Sequence, residues 1–251
     1  MGVEFICEYL EWDSQFFGRR IARVKESRIT QQSIHEIDSW CRLHRIDCLY
    51  FLADSKDRQS TELAQENMFR FVDARMTFEL SLSGHDVEGE ERSVAIRSAT
   101  KRDIPTLQAI ARRSHRDSRF YYDGNFLESL CDKLYETWIK RSCDGWAKNV
   151  LVAVEGNAIH GYLTCHLADA RSGEIGLLGV AEQVQGKGVG RNLLLSAVCW
   201  FARQGVEKIS VATQGRNVRA QRLYQRAGFV TRSLEIWFHR WFSEVKDQSR
   251  K

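Results

Sequence analysis

The run from Val180 to Leu194 constrains the fold of this chain more than any other segment. It passes from an apolar strand, Ile175 to Val180, through a turn containing Gly186, Gly188 and Gly190 into an amphipathic helix. Glycines adopt backbone conformations that other residues avoid, and the first N–H groups of a helix have no partner within it. The arrangement therefore predicts an anion site, and a pyrophosphate is the anion that it suggests.

Two common phosphate-binding loops do not fit this run. A Walker A loop needs a glycine where Ala181 stands and a serine or threonine where Gly188 stands. A dinucleotide fingerprint that begins at Gly186 needs a glycine where Arg191 stands. A pattern that fits is Gln/Arg-Gly-x-Gly-x-Gly/Ala, which resembles the acyl-CoA loop of the GNAT N-acetyltransferases. A glycine-rich connection that binds no ligand is the alternative.

A second motif, from Asn217 to Phe229, strengthens this resemblance. The pattern Asn…Ala…Leu-Tyr…Gly-Phe follows a strand-like run at Lys208–Thr213 and is similar to the second CoA-contacting segment of the same family. Residues 94–242 thus resemble a GNAT enzyme. The resemblance implies an α/β GNAT fold, in which helices flank a mixed twisted sheet.

The resemblance also implies acetyl-CoA as co-substrate and assigns roles to residues. In the family, the strand backbone pairs with the pantetheine arm, the loop amides hold the pyrophosphate, and a tyrosine, here Tyr224, protonates the leaving thiolate. A backbone N–H near Leu178–Val180 would polarise the thioester carbonyl. Tyr224 could instead be only a buried aromatic residue. The predicted cofactor-binding residues are Leu178, Gly179, Val180, Gln185, Gly186, Lys187, Gly188, Val189, Gly190, Arg191, Asn217 and Tyr224.

The base that would neutralise the attacking amine is left open among three residues. Glu174 begins the same strand and could draw the proton through water. His166, on the preceding strand, and Asp117 are alternatives. Each residue could equally be an ordinary surface carboxylate or strand histidine with no catalytic role. The amine could also reach the site already neutral, in which case no base is needed.

The first half of the chain predicts a smaller α/β domain, residues 1–82, joined by a polar linker, residues 83–92, to a GNAT domain, residues 93–251. The segments Leu10–Gly18 and Ser118–Tyr121 are similar to parts of the bacterial dTDP-fucosamine acetyltransferases. This subfamily acetylates the amine of dTDP-4-amino-4,6-dideoxygalactose, so the resemblance implies a nucleotide-sugar acceptor. The predicted acceptor-binding residues are Phe17, Arg119 and Tyr121.

Composition limits the structural classes and the cellular location that we expect for this protein. The seven cysteines are odd in number and lack Cys-x-x-Cys spacing, which argues against a disulfide framework or a zinc ribbon, and we expect no metal. No apolar run approaches the roughly 18 residues of a membrane span, and no secretory signal is visible, so we expect a cytoplasmic protein with no membrane partner.

The closing strand, rich in Trp237, Phe238, Trp241 and Phe242, predicts an exposed apolar surface and a possible homodimer.

Several functions remain open at this stage. The leading hypothesis is an acetyl-CoA-dependent N-acetyltransferase acting on a dTDP-amino sugar for surface polysaccharide synthesis. The alternatives are a GNAT enzyme acting on a peptide N-terminus or an aminoglycoside, and a non-catalytic module that senses acyl-CoA. We expect no nucleic-acid partner, because the net charge is only +4, which suits a small anionic ligand as readily as nucleic acid.

Overall fold

One sheet of ten strands connects both halves of the chain in the computed structural model, which describes residues 6–82 and 94–242. The described strands are β1 (Cys7–Tyr9), β2 (Ile21–Val24), β3 (Cys48–Asp54), β4 (Arg70–Ser81), β5 (Ala95–Ser98), β6 (Asn149–Glu155), β7 (Ala158–Leu167), β8 (Ser172–Val180), β9 (Lys208–Gln214) and β10 (Val230–Trp241). The described α-helices are α1 (Glu11–Phe17), α2 (Gln31–Leu43), α3 (Arg58–Glu66), α4 (Ile104–Ser114), α5 (Arg119–Asp123), α6 (Glu128–Arg141), α7 (Val189–Arg203) and α8 (Val218–Arg226). The predicted linker, residues 83–92, lies outside the described residues, and the division into two domains stays a prediction.

The strand order is β1-β2-β3-β10-β4-β9-β8-β7-β6-β5. The pairs β2–β3 and β8–β9 are parallel and the others are antiparallel. This mixed sheet flanked by helices confirms the predicted fold class.

The last described strand, β10, lies in the interior of the sheet. It pairs with β3 on one side and with β4 on the other. The expectation of an exposed closing strand is therefore wrong: Phe238 is buried, Trp237 and Trp241 are partly covered, and Phe242 alone is exposed. The expected homodimer loses the argument on which it rested, because two other strands already cover this backbone.

Each face of the sheet carries its own set of helices. We call one side the α4 face, where α1, α4, α5 and α6 cover a core that includes Tyr50, Leu134 and Tyr162. On the opposite α7 face, α7 and α8 pack on Leu163 and neighbouring residues, and α2 and α3 cover the first strands. Among the described residues, no helix is long and apolar enough to cross a membrane.

Candidate active site

Strands β8 and β9 separate part-way along their length. Their parallel pairing runs from Ser172 opposite Lys208 to Ile175 opposite Val211 and stops there. β8 continues to Val180 and β9 to Gln214, so that a gap opens between them. Within the described sheet, residues 176–180 then have no strand neighbour on the β9 side, and unpaired backbone groups on an edge favour an extended ligand that can hydrogen-bond to them.

A local irregularity in β8 coincides with this gap. The pairing with β7 shifts register between Leu163 and Cys165, and the N–H of Leu177 donates a 2.8 Å hydrogen bond to the Thr164 hydroxyl. After the shift, Leu177 packs on the α4 face and Leu178 packs on the α7 face. The irregularity thus sets which side chains line each side of the gap.

The glycine-rich turn leads from this gap into α7. Gly186 and Gly188 have φ angles of 81° and 83°, in the left-handed region that favours glycine. Gly188 is the N-cap of α7 and no side chain caps this helix end, which leaves its first amides available to bind an anion. Gly190, by contrast, is helical, and a Cβ added there would meet its neighbours at ordinary contact distances of 3.5–3.8 Å. Only two of the three glycines therefore need the conformational freedom that the sequence suggested.

Helix α8 approaches the same turn from the other side of the gap. Arg219 donates a hydrogen bond from its guanidinium to the side-chain oxygen of Gln185. The Asn217 side chain accepts a 3.0 Å bond from the Ala220 N–H and caps α8, so its carbonyl oxygen already has a structural task. The structure thus brings both predicted motifs to the two sides of one gap.

Tyr224 lies on the α7 face, close to the point where the strands separate. Its ring centroid is 5.9 Å from those of Phe78 and Phe229, and Phe78 pairs with Val211, the last β9 residue paired with β8. Burial raises the pKa of the Tyr224 hydroxyl, which keeps it protonated. A protonated hydroxyl is a suitable donor to a thiolate.

Residues 110–229 match the model of the Acetyltransferase (GNAT) family. This part of the chain is a GNAT acetyltransferase domain. This match and the similarity to a curated acetyltransferase along 96% of the chain support an acetyl-CoA-dependent N-acetyltransferase.

Two curated relatives extend the comparison. A dTDP-fucosamine acetyltransferase from Escherichia coli O6:H1 is 26% identical over 244 residues, which cover 96% of this chain and 100% of the relative. The spore coat polysaccharide biosynthesis protein SpsD from Bacillus subtilis is 27% identical over 139 residues, 55% of this chain and 48% of that protein. The first similarity includes the N-terminal half, whereas the second is limited to about half of each chain.

Solved structures support the fold. A functionally unknown conserved protein from Staphylococcus epidermidis superimposes with a TM-score of 0.67 at 15% identity, covering 96% of this chain and 93% of that one. A GCN5-related N-acetyltransferase from Sphaerobacter thermophilus gives a TM-score of 0.66 at 16% identity, over 94% and 76% of the two chains. At such low identity these similarities concern the fold.

The GNAT domain places two of the three candidate bases side by side. Glu174 on β8 lies directly opposite His166 on β7, and the Glu174 side chain is exposed. Burial lowers the pKa of His166, although the charge of Glu174 partly opposes this, and a neutral imidazole can accept a proton. Asp117 is exposed, and its carbonyl oxygen accepts a 3.2 Å bond from Arg216.

The three predicted acceptor residues lie on the α4 face but differ in their surroundings. Phe17 is buried, with its ring 4.5 Å from Phe126 and 5.5 Å from Phe120. Tyr121 is partly exposed and donates a 2.8 Å bond to Asp132. Phe17 is therefore part of the packing, whereas Tyr121 retains a solvent-facing surface.

Sequence reasoning missed a polar group that packs against the GNAT strands. The hydroxyl of Tyr162 is 2.8 Å from Nε2 of His115, and the Tyr162 ring lies across Gly179. His115 also stacks on Tyr135 at 4.5 Å, and burial lowers its pKa to about 4. His115 and Tyr162 are 47 residues apart, so no local pattern could have linked them.

Proposed function

We propose that this N-acetyltransferase transfers the acetyl group of acetyl-CoA to the amine of a nucleotide-linked amino sugar, a dTDP-4-amino-4,6-dideoxyhexose used for surface polysaccharide. The observation that carries the proposal is the similarity to a dTDP-fucosamine acetyltransferase along the whole of that relative and 96% of this chain. A mycothiol acetyltransferase from Beutenbergia cavernae is 36% identical, but the similarity covers only 41% of this chain. The similarity that includes the N-terminal half thus favours the sugar-nucleotide substrate.

The gap between β8 and β9 suits the donor. In this proposal the pantetheine arm lies along residues 176–180 and hydrogen-bonds to their unpaired backbone, as an added strand would. The pyrophosphate binds at the amides of the glycine-rich turn, with Arg219 nearby on α8. Asn217 retains its amide group for the CoA arm, because only its carbonyl oxygen caps α8.

The chemistry requires an uncharged amine that attacks the thioester carbonyl carbon. A backbone N–H in the Leu178–Val180 segment stabilises the oxyanion that forms, and the C–S bond then breaks as the amide is completed. Tyr224 donates its proton to the departing thiolate, and its raised pKa keeps that proton in place at neutral pH until it is needed. Glu174, exposed on the α4 face, removes the proton of the amine through water.

Thiol release from acetyl-CoA tests this function against a panel of amines. The panel contains dTDP-4-amino-4,6-dideoxygalactose, the same amino sugar without its nucleotide, short peptides and an aminoglycoside. We expect turnover to be fastest with the nucleotide-linked sugar, and mass spectrometry should show one added acetyl group. Activity with peptides alone would overturn the substrate assignment, and acetyl-CoA binding without thiol release from any amine would support the sensor alternative.

A further inference from the structure

Arg119 stands out on the α4 face because of its surroundings. Its guanidinium carbon lies 4.3 Å from the ring centroids of Tyr50 and Trp237 and 4.2 Å from that of Phe120. One terminal nitrogen donates a 2.7 Å hydrogen bond to Nε2 of His239. The residue is partly exposed, whereas Tyr50 and His239 are buried. Arg119 therefore presents a positive charge at the edge of an aromatic pocket.

No carboxylate of residues 6–82 and 94–242 lies within 4.0 Å of this guanidinium. The positive charge of Arg119 lowers the pKa of Asp13 and of Asp73, although burial, the larger effect, raises both pKa values. Neither carboxylate lies within ion-pair distance of Arg119. Arg240 and Arg216, by contrast, pair with Asp38 at 2.6 Å and with Asp73 at 3.7 Å. A largely covered charge is normally paired, so Arg119 has donors to spare for an anion from outside the chain.

Two buried residues, His239 and Asp123, form a hydrogen-bonded relay that fixes the orientation of Arg119. Because an arginine can only donate, Nε2 of His239 accepts, and its Nδ1–H donates to the Asp123 carboxylate. Asp123 also accepts a 3.0 Å bond from the Trp241 indole N–H and a 2.6 Å bond from Asn125. Burial lowers the pKa of His239 to about 4, which is consistent with this neutral tautomer. The relay thus holds one side of the guanidinium and leaves the rest available.

The buried hydroxyl of Tyr50 adds an independent observation. Among the described residues it makes no hydrogen bond of standard geometry, although the Arg119 guanidinium lies against its ring and lowers the pKa of the hydroxyl against the dominant effect of burial. A buried hydroxyl without a partner is costly, and a polar group of a ligand or an ordered water removes that cost. The pocket therefore contains two polar groups with unused hydrogen-bonding capacity.

We propose that Arg119, oriented by His239 and Asp123, binds the diphosphate of the nucleotide-linked acceptor, and that this contact selects nucleotide-linked over free amino sugars. This inference rests on the proposed function and names the part of the acceptor that is recognised where α5 and β10 meet Tyr50 of β3. Arg119 contacts the ligand, whereas His239 and Asp123 are positioning residues. Guanidinium groups match phosphoryl oxygens in both charge and geometry.

The position of the pocket fits the shape of such an acceptor. Trp237 on β10 pairs with Asp73, two residues from Arg75, which pairs with Gln214 at the end of β9. The pocket thus lies towards the same end of the sheet as the opening of the gap, two strand spacings or about 10 Å across the sheet from β9. In a nucleotide-linked 4-amino hexose, the amine and the diphosphate lie at opposite ends of the sugar ring. The amine can then face the gap while the diphosphate reaches Arg119.

Steady-state kinetics of Arg119→Gln test the contact. We compare kcat/KM for dTDP-4-amino-4,6-dideoxygalactose with kcat/KM for the same sugar lacking the nucleotide. Loss of one charge-assisted contact should lower the first value about 10- to 100-fold and leave the second nearly unchanged. The KM for acetyl-CoA should not move, which separates the acceptor diphosphate from the phosphates of CoA. Binding of dTDP alone, measured by calorimetry, should weaken by a similar factor.

Two further variants separate positioning from folding. His239→Gln can still accept from Arg119 and donate to Asp123, so it should retain most of the preference for the nucleotide-linked sugar, whereas His239→Leu should lose it. Arg240→Gln is the matched control, because Arg240 lies on the opposite face of β10 over the Phe69 and Phe242 rings. It should lower the urea midpoint without changing the preference.

The outcomes distinguish this inference from the proposed function. If the wild-type protein acetylates no nucleotide-linked amino sugar, the proposed function fails. If it does so and Arg119→Gln lowers kcat/KM equally for both sugars, or changes neither, the diphosphate contact is refuted while the function stands. An increased KM for acetyl-CoA in Arg119→Gln would assign Arg119 to the donor instead.

Discussion

Replacing Gly179 with alanine should disrupt the packing beside the gap. Gly179 lies opposite Tyr162 in the β7–β8 pair, and an added Cβ would be 2.6 Å from Cε1 and 2.8 Å from Cζ of that ring. The ring would have to retreat by about 0.8 Å to reach an ordinary 3.4 Å contact. Because Tyr162 is fully buried and bonded to His115, such a movement would stretch or break the hydrogen bond between them.

We expect Gly179→Ala to lower the free energy of unfolding by about 2–4 kcal/mol, combining overpacking of about 1–3 kcal/mol with a lost hydrogen bond of about 1 kcal/mol. Urea denaturation followed by circular dichroism measures this loss, and the slope m should stay unchanged. The matched control is Gly190→Ala, which has room in the first turn of α7 and should be neutral or gain up to about 1 kcal/mol.

A double variant tests whether the Tyr162 ring causes the loss. Combining Gly179→Ala with Tyr162→Leu removes the atoms that the new methyl group meets, so the two effects should be less than additive by at least about 1 kcal/mol. A loss below about 1 kcal/mol in Gly179→Ala alone, or strict additivity in the double variant, would refute this packing argument.

Three other predictions concern proton transfer. Tyr224→Phe keeps the ring packed but removes the hydroxyl, so turnover should fall about 10²- to 10⁴-fold while calorimetry shows acetyl-CoA binding unchanged; normal turnover at saturating substrates would remove Tyr224 from the mechanism. Glu174→Gln should shift the acidic limb of the pH–rate profile, and a profile that overlays the wild type would exclude this base. The folded-state pKa of His115, about 4, lies below its ordinary 6.5, so its stabilising contribution is present above pH 6.5 and is lost as the pH falls towards 4. Urea titrations should show a loss of about 2 kcal/mol at pH 5 that His115→Gln removes; equal pH dependence in both proteins would contradict the cause.

Elements defined by local pattern could be predicted from the sequence. Strand Ile21–Val24 and helix Gln31–Leu43 are examples, because the apolar periodicity of both and the Thr30 side chain that caps the helix involve only neighbouring residues. The strand, glycine-rich turn and helix from Ile175 onwards are likewise present, with positive φ at Gly186 and Gly188.

Features that depend on distant residues could not be predicted. Helices α1 and α5 are only seven and five residues long, too short to show an apolar period that would indicate a helix. The interior position of β10 depends on pairing with β3 and β4, which no local pattern records. The same holds for the relay, since Asp123 and His239 are 116 residues apart in the chain. Arg119 was predicted as an acceptor residue by resemblance, but its aromatic pocket emerged only from the fold.

The interior position of β10 also sets the order in which the protein can assemble. β3 and β4 are translated early, whereas β10, which fills the slot between them, is translated after every other described strand. Until β10 docks, both neighbours have an open edge that could pair with another chain. Trp237 and His239 also arrive with this strand, so the Arg119 pocket cannot exist on a nascent chain that lacks it. Completion of the sheet and completion of this pocket are thus the same late event in the synthesis of the protein.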